Sequence, residues 1–242
     1  MRTPRPARKL LSLPFTSGLC LSLLASLPAA AGGPLPPQNV IRRPVGLAAL
    51  APITAWDKTA PGIWRAKAGD TAREVRYTSL AAAPPRLEAL AKRPEREFPF
   101  AADPIAFERT ADGKVMLRIP CGPEEKLYGF GLQFNRLGRS QDVLTLNVDH
   151  WSTGGGRTHA PVSFYISSRG YGVFIDTARF LKVYARVGNR KDSPRNPPPV
   201  DRNPPPGEPA PPWDAQPKSD AVEILVDGPG ADIVVLAGEN VA

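Results

Sequence analysis

The chain has few of the residues from which metal and cofactor sites are usually built. Its 242 residues include only two histidines, His150 and His159, nine positions apart and without cysteine or acidic residues at a metal-ligand spacing. Gly129–Gly131 lacks the third glycine of a dinucleotide loop, and Gly154–Thr158 lacks the Gly-Lys-Ser/Thr of a phosphate loop. No Gly-x-Ser-x-Gly nucleophile elbow occurs. The sequence therefore predicts no metal, no cofactor and no serine-hydrolase site.

Long uninterrupted apolar runs are also absent. The first nine residues hold four basic and no acidic residues, Leu10–Leu27 is apolar, and Pro28–Ala31 ends in small residues. This layout predicts a secretory signal peptide over residues 1–31. Proline, serine and glycine interrupt the apolar run, which disfavours an uncleaved membrane anchor, and bulky Leu19 disfavours a lipid anchor on Cys20. We expect an exported, periplasmic or extracellular protein without a stable membrane anchor.

Charge of one sign is not concentrated anywhere after the predicted cleavage site. Removing the four basic residues of the leader lowers the formal net charge from +8 to +4, and the remaining charges are interspersed. This pattern disfavours nucleic acid as a partner. Cys121 is then the only cysteine, so an intrachain disulfide is excluded, and we expect a buried small apolar side chain at a strand end.

Proline, in contrast, is abundant. Residues 32–44 form a proline- and glycine-rich segment that predicts a flexible lead-in. Residues 193–217 contain eleven prolines and repeat Arg-Asn-Pro-Pro-Pro at 195–199 and 202–206. Because proline cannot donate to a sheet, we expect an exposed loop of polyproline II character inserted between two strands. It is either a solvated surface insertion or a docking site for a proline-binding partner, and the predicted export favours the first.

The strongest structural signal is the hairpin pattern of Pro161–Thr177. Two alternating runs, SFYIS and GVFIDT, flank the turn Ser168–Gly172, which has glycines on both sides of Tyr171. The alternation predicts one buried and one mixed face, with Phe164 and Ile166 on one side and Tyr165 on the other.

Short strand-like runs separated by turn residues continue along the chain. They lie at residues 63–67, 73–80, 105–109, 114–119, 127–134, 143–148, 181–187 and 222–226. Only residues 86–92 could form helix, of two turns at most. Many short strands with little helix predict an all-β protein, an antiparallel β-sandwich.

The loop Asn147–Ala160 contains the best candidates for ligand binding. Asp149 and Trp151 stand beside a glycine triplet. A carboxylate can accept hydrogen bonds from sugar hydroxyls, and an indole can cover the apolar face of a sugar ring. A capped loop with a half-buried tryptophan is the alternative interpretation.

Several motifs resemble a known family in order and spacing. They are LYGFGLQFN at residues 127–135, the Asn-Val-Asp step at 147–149, the hairpin itself, and EILVDGP at 223–229. Over residues 45–242 the chain resembles the N-terminal β-sandwich of glycoside hydrolase family 31, which contains α-glucosidases, α-xylosidases and relatives. The resemblance implies a galactose mutarotase-like supersandwich spanning residues 45–230, followed by a connector from residue 231 toward a (β/α)₈ barrel.

The resemblance also implies that the catalytic residues lie in a different domain from this sandwich. The two catalytic aspartates of the family lie on the barrel and work by retaining double displacement, and neither can be placed in this sequence. We therefore expect no catalytic residue in this chain, which ends at Ala242, and no activity of the chain alone. Asp149 matches the aspartate that the family's sandwich extends toward the sugar. Residues 231–238 are strand-like in pattern, whereas the resemblance implies a helix.

Two functions follow as hypotheses. The chain is the N-terminal domain of an exported α-glycoside hydrolase, with an α-glycoside near Asp149 and a catalytic barrel supplied in cis or in trans. Alternatively, it is a stand-alone, non-catalytic carbohydrate-binding sandwich. A mutarotase-like enzyme would need a paired histidine and carboxylate on the sheet, for which His150 and His159 are the only histidines.

Overall fold

Two antiparallel β-sheets make up the described part of the chain. The computed structural model describes residues 49–83, 92, 94–132, 136–147, 158–193 and 195–238. One sheet has six strands, in the spatial order β1 (Ala51–Pro52), β4 (Ala106–Arg109), β5 (Val115–Pro120), β12 (Lys218–Val226), β11 (Leu181–Val187) and β8 (Asp142–Leu146).

The other sheet has seven strands. Their spatial order is β2 (Asp57–Ala60), β3 (Ile63–Gly69), β13 (Gly230–Ala237), β10 (Tyr171–Asp176), β9 (Phe164–Ser167), β6 (Leu127–Gly129) and β7 (Gly138–Arg139). All pairings in both sheets are antiparallel.

The core lies between the two sheets because alternate side chains of each strand point inward. From the six-stranded sheet, Leu117 and Ile224 are fully buried, and from the seven-stranded sheet Tyr165, Val173 and Ile233 are at most 1% exposed. All belong to one apolar cluster. The predicted all-β antiparallel sandwich is therefore confirmed.

Most of the predicted strands are present. Strands cover the runs predicted at 63–67, 181–187 and 222–226 and all but the first residue of those predicted at 105–109 and 114–119, and β8 covers 143–146 of the run predicted to residue 148. The run predicted over 127–134 ends as a strand at Gly129, because Phe130 and Gly131 have positive φ angles of 65° and 89° that turn the chain out of the sheet.

The central hairpin is confirmed, with a shorter turn than predicted. Tyr171 belongs to β10 and pairs with Ser167, so only residues 168–170 form the turn. Gly170 has the positive φ that the turn needs, at 82°. Gly172 serves packing instead: a Cβ there would lie 2.8 Å from the Phe164 ring. The buried face carries Tyr165.

One predicted strand is wrong, and one element left open is decided. Residues 73–80 do not form a strand; the only regular structure there is a 3-10 turn at Tyr77–Leu80. For residues 231–238 the strand-like pattern is correct and the helix implied by the resemblance is not, because Gly230–Ala237 forms β13 between β10 and β3. The β-branched pattern decided that element, and the sandwich extends through Ala237, beyond the boundary predicted at residue 230.

The proline-rich insertion connects β11 to β12. Its described residues, 193 and 195–217, contain no strand or helix. Cys121, directly after β5, is 4% exposed, which confirms a buried cysteine at a strand end. Among the described residues, no helix has the length and apolarity needed to cross a bilayer. The predicted leader (1–31), lead-in (32–44) and most of the helical segment near residues 86–92 lie outside the described residues.

Candidate functional site

The two predicted ligand-binding residues, Asp149 and Trp151, lie outside the described residues, as does the glycine triplet at 154–156. The structure does describe the residues at which their loop begins and ends. The loop leaves the six-stranded sheet after β8 at Asn147, and the chain is described again from Thr158. His159 is held against Leu132 by two backbone hydrogen bonds of 2.9 and 3.1 Å.

A pocket of about 180 Å³ lies at Asn147, where this loop begins. Four parts of the chain form it: the 3-10 turn at Tyr77, the end of β8, the residues before β9, and the stretch from Phe174 of β10 to the start of β11. Its lining residues are Tyr77, Leu146, Asn147, Pro161, Val162, Ser163, Phe174, Thr177, Ala178, Arg179, Phe180 and Leu181. Any ligand of the Asp149 loop that reaches its base therefore meets a surface built on three strands.

One of the residues that line the pocket carries an unsatisfied polar atom. The Oδ1 atom of Asn147 is buried and has no hydrogen-bond partner. A buried acceptor without a partner costs about 1–3 kcal/mol. Because the atom is itself shielded from solvent, a ligand hydroxyl in the pocket could recover that cost only after the Asn147 side chain turned toward it.

A cation also contributes to the wall, but its charge is already paired. Arg179 donates from Nε and Nη2 to the Glu74 carboxylate, at 2.8 and 3.0 Å. The hydrogen bond to Glu74 raises the pKa of Arg179 above its ordinary value. Because the pair is neutral, the pocket does not select an anionic ligand at this position.

An exposed apolar groove continues from the pocket. A second cavity of about 370 Å³, lined by Tyr77, Leu80 and Phe174 among others, shares Tyr77 and Phe174 with the first. Tyr77, Leu80, Val162 and Phe180 are each exposed by 48–64%. We call Tyr77, Leu80, Val162, Phe174 and Phe180 the Tyr77 groove. Contiguous exposed apolar surface of this kind marks an interaction site.

Two buried carboxylates fasten the segment that carries Tyr77. Asp176 of β10 accepts hydrogen bonds from the Thr78 backbone nitrogen (2.9 Å), the Thr78 hydroxyl (2.6 Å) and Arg65 (2.6 Å). Asp232, its cross-strand neighbour on β13, accepts from Arg76 Nε at 2.7 Å. This hydrogen bond raises the pKa of Arg76. Each carboxylate is thus paired with an arginine and holds the groove segment in place.

A second buried polar cluster lies at the turn end of the hairpin. The Ser167 and Tyr171 hydroxyls donate to Oε1 of Glu125, and the Gly122 nitrogen donates to Oε2 at 2.7 Å. Burial, with a further contribution from Glu125, raises the pKa of the neighbouring Cys121 thiol to about 12. Burial also raises the pKa of Tyr171. Cys121 therefore stays protonated at neutral pH and is a poor nucleophile.

Sequence reasoning missed Asn147, Asp176, Asp232 and Glu125 as site or supporting residues. Asp176, at the end of an apolar strand run, and Asp232, inside another, each carried a local signal as an acidic residue among apolar ones. Within the described ranges, no group of three or more histidine, cysteine, aspartate or glutamate side chains could hold a metal ion.

The chain is similar to glycoside hydrolases. The sequence profile of the glycosyl hydrolase 31 N-terminal galactose mutarotase-like domain matches residues 59–183. The α-xylosidase XylQ of Lactiplantibacillus pentosus is 36% identical over 66 residues, which are 26% of this chain and 8% of XylQ.

Solved structures of glycoside hydrolases are also similar to the chain, at lower identity. A family 31 dextranase of Flavobacterium johnsoniae, complexed with glucose, has a TM-score of 0.46 and 12% identity over 78% of this chain and 26% of its own. A cycloalternan-degrading enzyme of Trueperella pyogenes has a TM-score of 0.33 and 17% identity over 50% of this chain and 14% of its own. The chain thus spans a small part of the length of each of these proteins.

Proposed function

Because the chain belongs to the glycosyl hydrolase 31 N-terminal galactose mutarotase-like domain family, we propose that it forms one wall of the substrate site of an exported, retaining α-glycoside hydrolase. The observation that carries this proposal is the pocket at the base of the Asp149 loop, with its unsatisfied Asn147 acceptor. The loop brings a carboxylate and an indole, and the pocket adds the polar residues Asn147 and Ser163 beside apolar side chains. Together these groups suit a sugar ring.

The reactive groups are proposed to come from another domain. The carboxylates Asp176 and Asp232 are each paired with an arginine and are 1% and 3% exposed, so neither is accessible to a substrate. The family's catalytic aspartates belong to a (β/α)₈ barrel, which we propose is supplied in cis or in trans. In this arrangement the sandwich positions substrate and the barrel performs the double displacement.

The Tyr77 groove is proposed as the surface that packs against the barrel. It adjoins the substrate pocket through Tyr77 and Phe174, so a domain seated on it would also close one side of the pocket. Its exposed aromatic rings would gain about 25 cal/mol for each Å² that the barrel covers. Packing against the barrel and binding of the substrate would then both depend on the segment that carries Tyr77.

Export is proposed from the leader over residues 1–31. Its basic start, apolar middle and small-residue end direct a chain out of the cytoplasm and are then removed. The mature protein would begin at Gly32.

The test compares the chain alone with a protein that joins it to a family 31 barrel. We expect no nitrophenol release from 4-nitrophenyl α-glucoside or α-xyloside by the chain alone, and release by the joined protein. The double variant Tyr77→Ser/Phe180→Ser should lower that activity about tenfold through lost apolar contact. Leu137→Ser, at a similarly exposed position outside the groove, is the matched control and should have no effect.

Two results would contradict the proposal. Hydrolysis by the chain alone would place the reactive groups in the sandwich. Sugar binding by the chain, combined with equal activity of the joined protein and its groove variant, would favour the stand-alone carbohydrate-binding function.

A further inference from the structure

Trp213 is the most exposed large apolar side chain of the described residues, at 90%. It lies in the proline-rich insertion, far in sequence from the Tyr77 groove. An indole so exposed to water does not stabilise the fold by burial. A binding role requires that the chain around it hold it in a defined position.

The backbone around Trp213 is held in one conformation by Arg202. A turn brackets the indole, with the Ala215 nitrogen donating to the Pro212 carbonyl at 2.9 Å. Arg202 donates to both carbonyls of this turn, Pro212 at 2.9 Å and Ala215 at 3.4 Å. Its guanidinium carbon also lies 5.4 Å from the Trp213 ring centroid, within the range of a cation–π contact.

The insertion that carries this turn is anchored at both ends. At its start Arg195 pairs with Glu108 on the outer face of the six-stranded sheet, at 2.9 Å from Nη1 to Oε1. The Asn196 side chain exchanges two hydrogen bonds with the Arg190 backbone. At its end Gln141 donates to the Pro217 carbonyl at 2.7 Å. Anchored ends and proline content lower the entropy that Trp213 would lose on binding.

We propose that Trp213 is the platform of a second carbohydrate site, for a neutral polysaccharide. One face of the indole is approached by Arg202, and the other can stack on the apolar C–H face of a pyranose ring. Asp201 and Asp214 are exposed close by in sequence and outnumber the single positive charge of Arg202, which disfavours an acidic polymer or an anionic membrane. One indole is far smaller than a standard protein interface of about 800 Å² per partner.

The position of the platform favours a polymer over a short sugar. The start of β11, Leu181, pairs with Leu146 beside the substrate pocket, whereas its end, Val187, pairs with Lys218 beside the insertion. The two ends of β11 are about 20 Å apart, and Lys218 follows Trp213 by five residues. A polysaccharide held at Trp213 would stay near a substrate pocket at the other end of the sheet, which raises its local concentration.

Affinity electrophoresis of the whole mature chain, in gels containing soluble starch or dextran, tests the proposal. We expect at least one of these polymers to retard the wild-type chain, and Trp213→Ala to weaken binding about tenfold. Trp213→Phe keeps a ring and should retain most of the affinity, whereas Arg202→Ala frees the turn and should lose part of it. Leu137→Ala, an exposed apolar residue elsewhere, should bind as wild type. Melting curves confirm that each variant is folded.

The proposal is overturned if neither polymer retards the wild-type chain, or if Trp213→Ala binds as tightly as wild type. It is also overturned if Trp213 is needed only for self-association or for binding phosphatidylcholine vesicles. Asp149→Asn separates this site from the proposed substrate site. If Asp149→Asn alone abolishes retardation, the polymer binds at the substrate site, and the Trp213 platform fails while the proposed function stands.

Discussion

At the scale of single residues, the buried polar groups make long-range hydrogen bonds that the sequence does not predict. Glu125 is bound by Ser167 and Tyr171, which are 42 and 46 residues away. Arg186 adopts a φ of +57° and donates to three backbone carbonyls, those of Pro123, Glu125 and Ser219. No local pattern predicts these contacts, because each depends on which strands become neighbours. Cys121 was predictable as buried, since an unpaired cysteine behaves as a small apolar side chain.

The first prediction concerns the reactivity of Cys121. It is measured in a chain that starts after the leader, so that Cys20 is absent and Cys121 is the only thiol. Because its pKa in the fold is raised to about 12 from the ordinary 9.0, the thiol should react with a disulfide reagent at pH 8 at least about 100-fold more slowly than in urea. Absorbance at 412 nm with an aromatic disulfide follows the reaction. Fast labelling of the native chain would show that Cys121 is accessible and ionised.

The same pKa shift makes stability depend on pH in a defined direction. The folded state keeps the proton of Cys121, whereas the unfolded thiol loses it near pH 9. The stabilisation is therefore complete below pH 9 and is lost as the pH rises toward 12. The pKa of Tyr171 is also raised by burial, so this residue contributes to the loss of stability at alkaline pH in the same direction. Cys121→Ala should weaken this alkaline dependence in urea titrations.

At the scale of elements, strands with strong alternation were predictable and the segment before the 3-10 turn was not. Residues 181–187 and 222–226 form strands because their β-branched and apolar residues fit a half-buried pleated surface. Residues 73–80 carry a similar pattern, but Asp176 and Asp232 capture Thr78 and Arg76 from 98 and 156 residues away. These long-range bonds outweigh local strand preference and turn the segment across the outer face of the sheet.

Asp176→Asn tests this explanation. Removing one charge of a buried pair should lower the free energy of unfolding by about 3 kcal/mol, since Arg65 loses its partner. Amide hydrogen exchange at residues 71–83 should accelerate more than in β12. Asp57→Asn, an exposed position on β2, is the control and should change neither quantity. Unchanged exchange at residues 71–83 would show that the carboxylate does not hold the segment.

At the scale of the whole molecule, the sandwich was predictable from many short alternating strands, while the surfaces were not. The position of the Tyr77 groove depends on where residues 75–83 cross the outer face of the seven-stranded sheet. The anchoring of the proline-rich insertion depends on Glu108, Gln141 and Arg190, which no local pattern linked to it. The central claim is that this domain contributes binding groups to a sugar site completed by a barrel.

The most direct test of that claim is the kcat/KM of the enzyme that carries both the sandwich and the barrel, measured with and without Asp149→Asn. We predict a loss of about 10- to 100-fold, the cost of removing a charged hydrogen-bond acceptor from a substrate hydroxyl, with an unchanged melting temperature. Asp103→Asn, an exposed loop position, is the control. An unchanged kcat/KM, or a loss matched by a fall in melting temperature, would contradict the account.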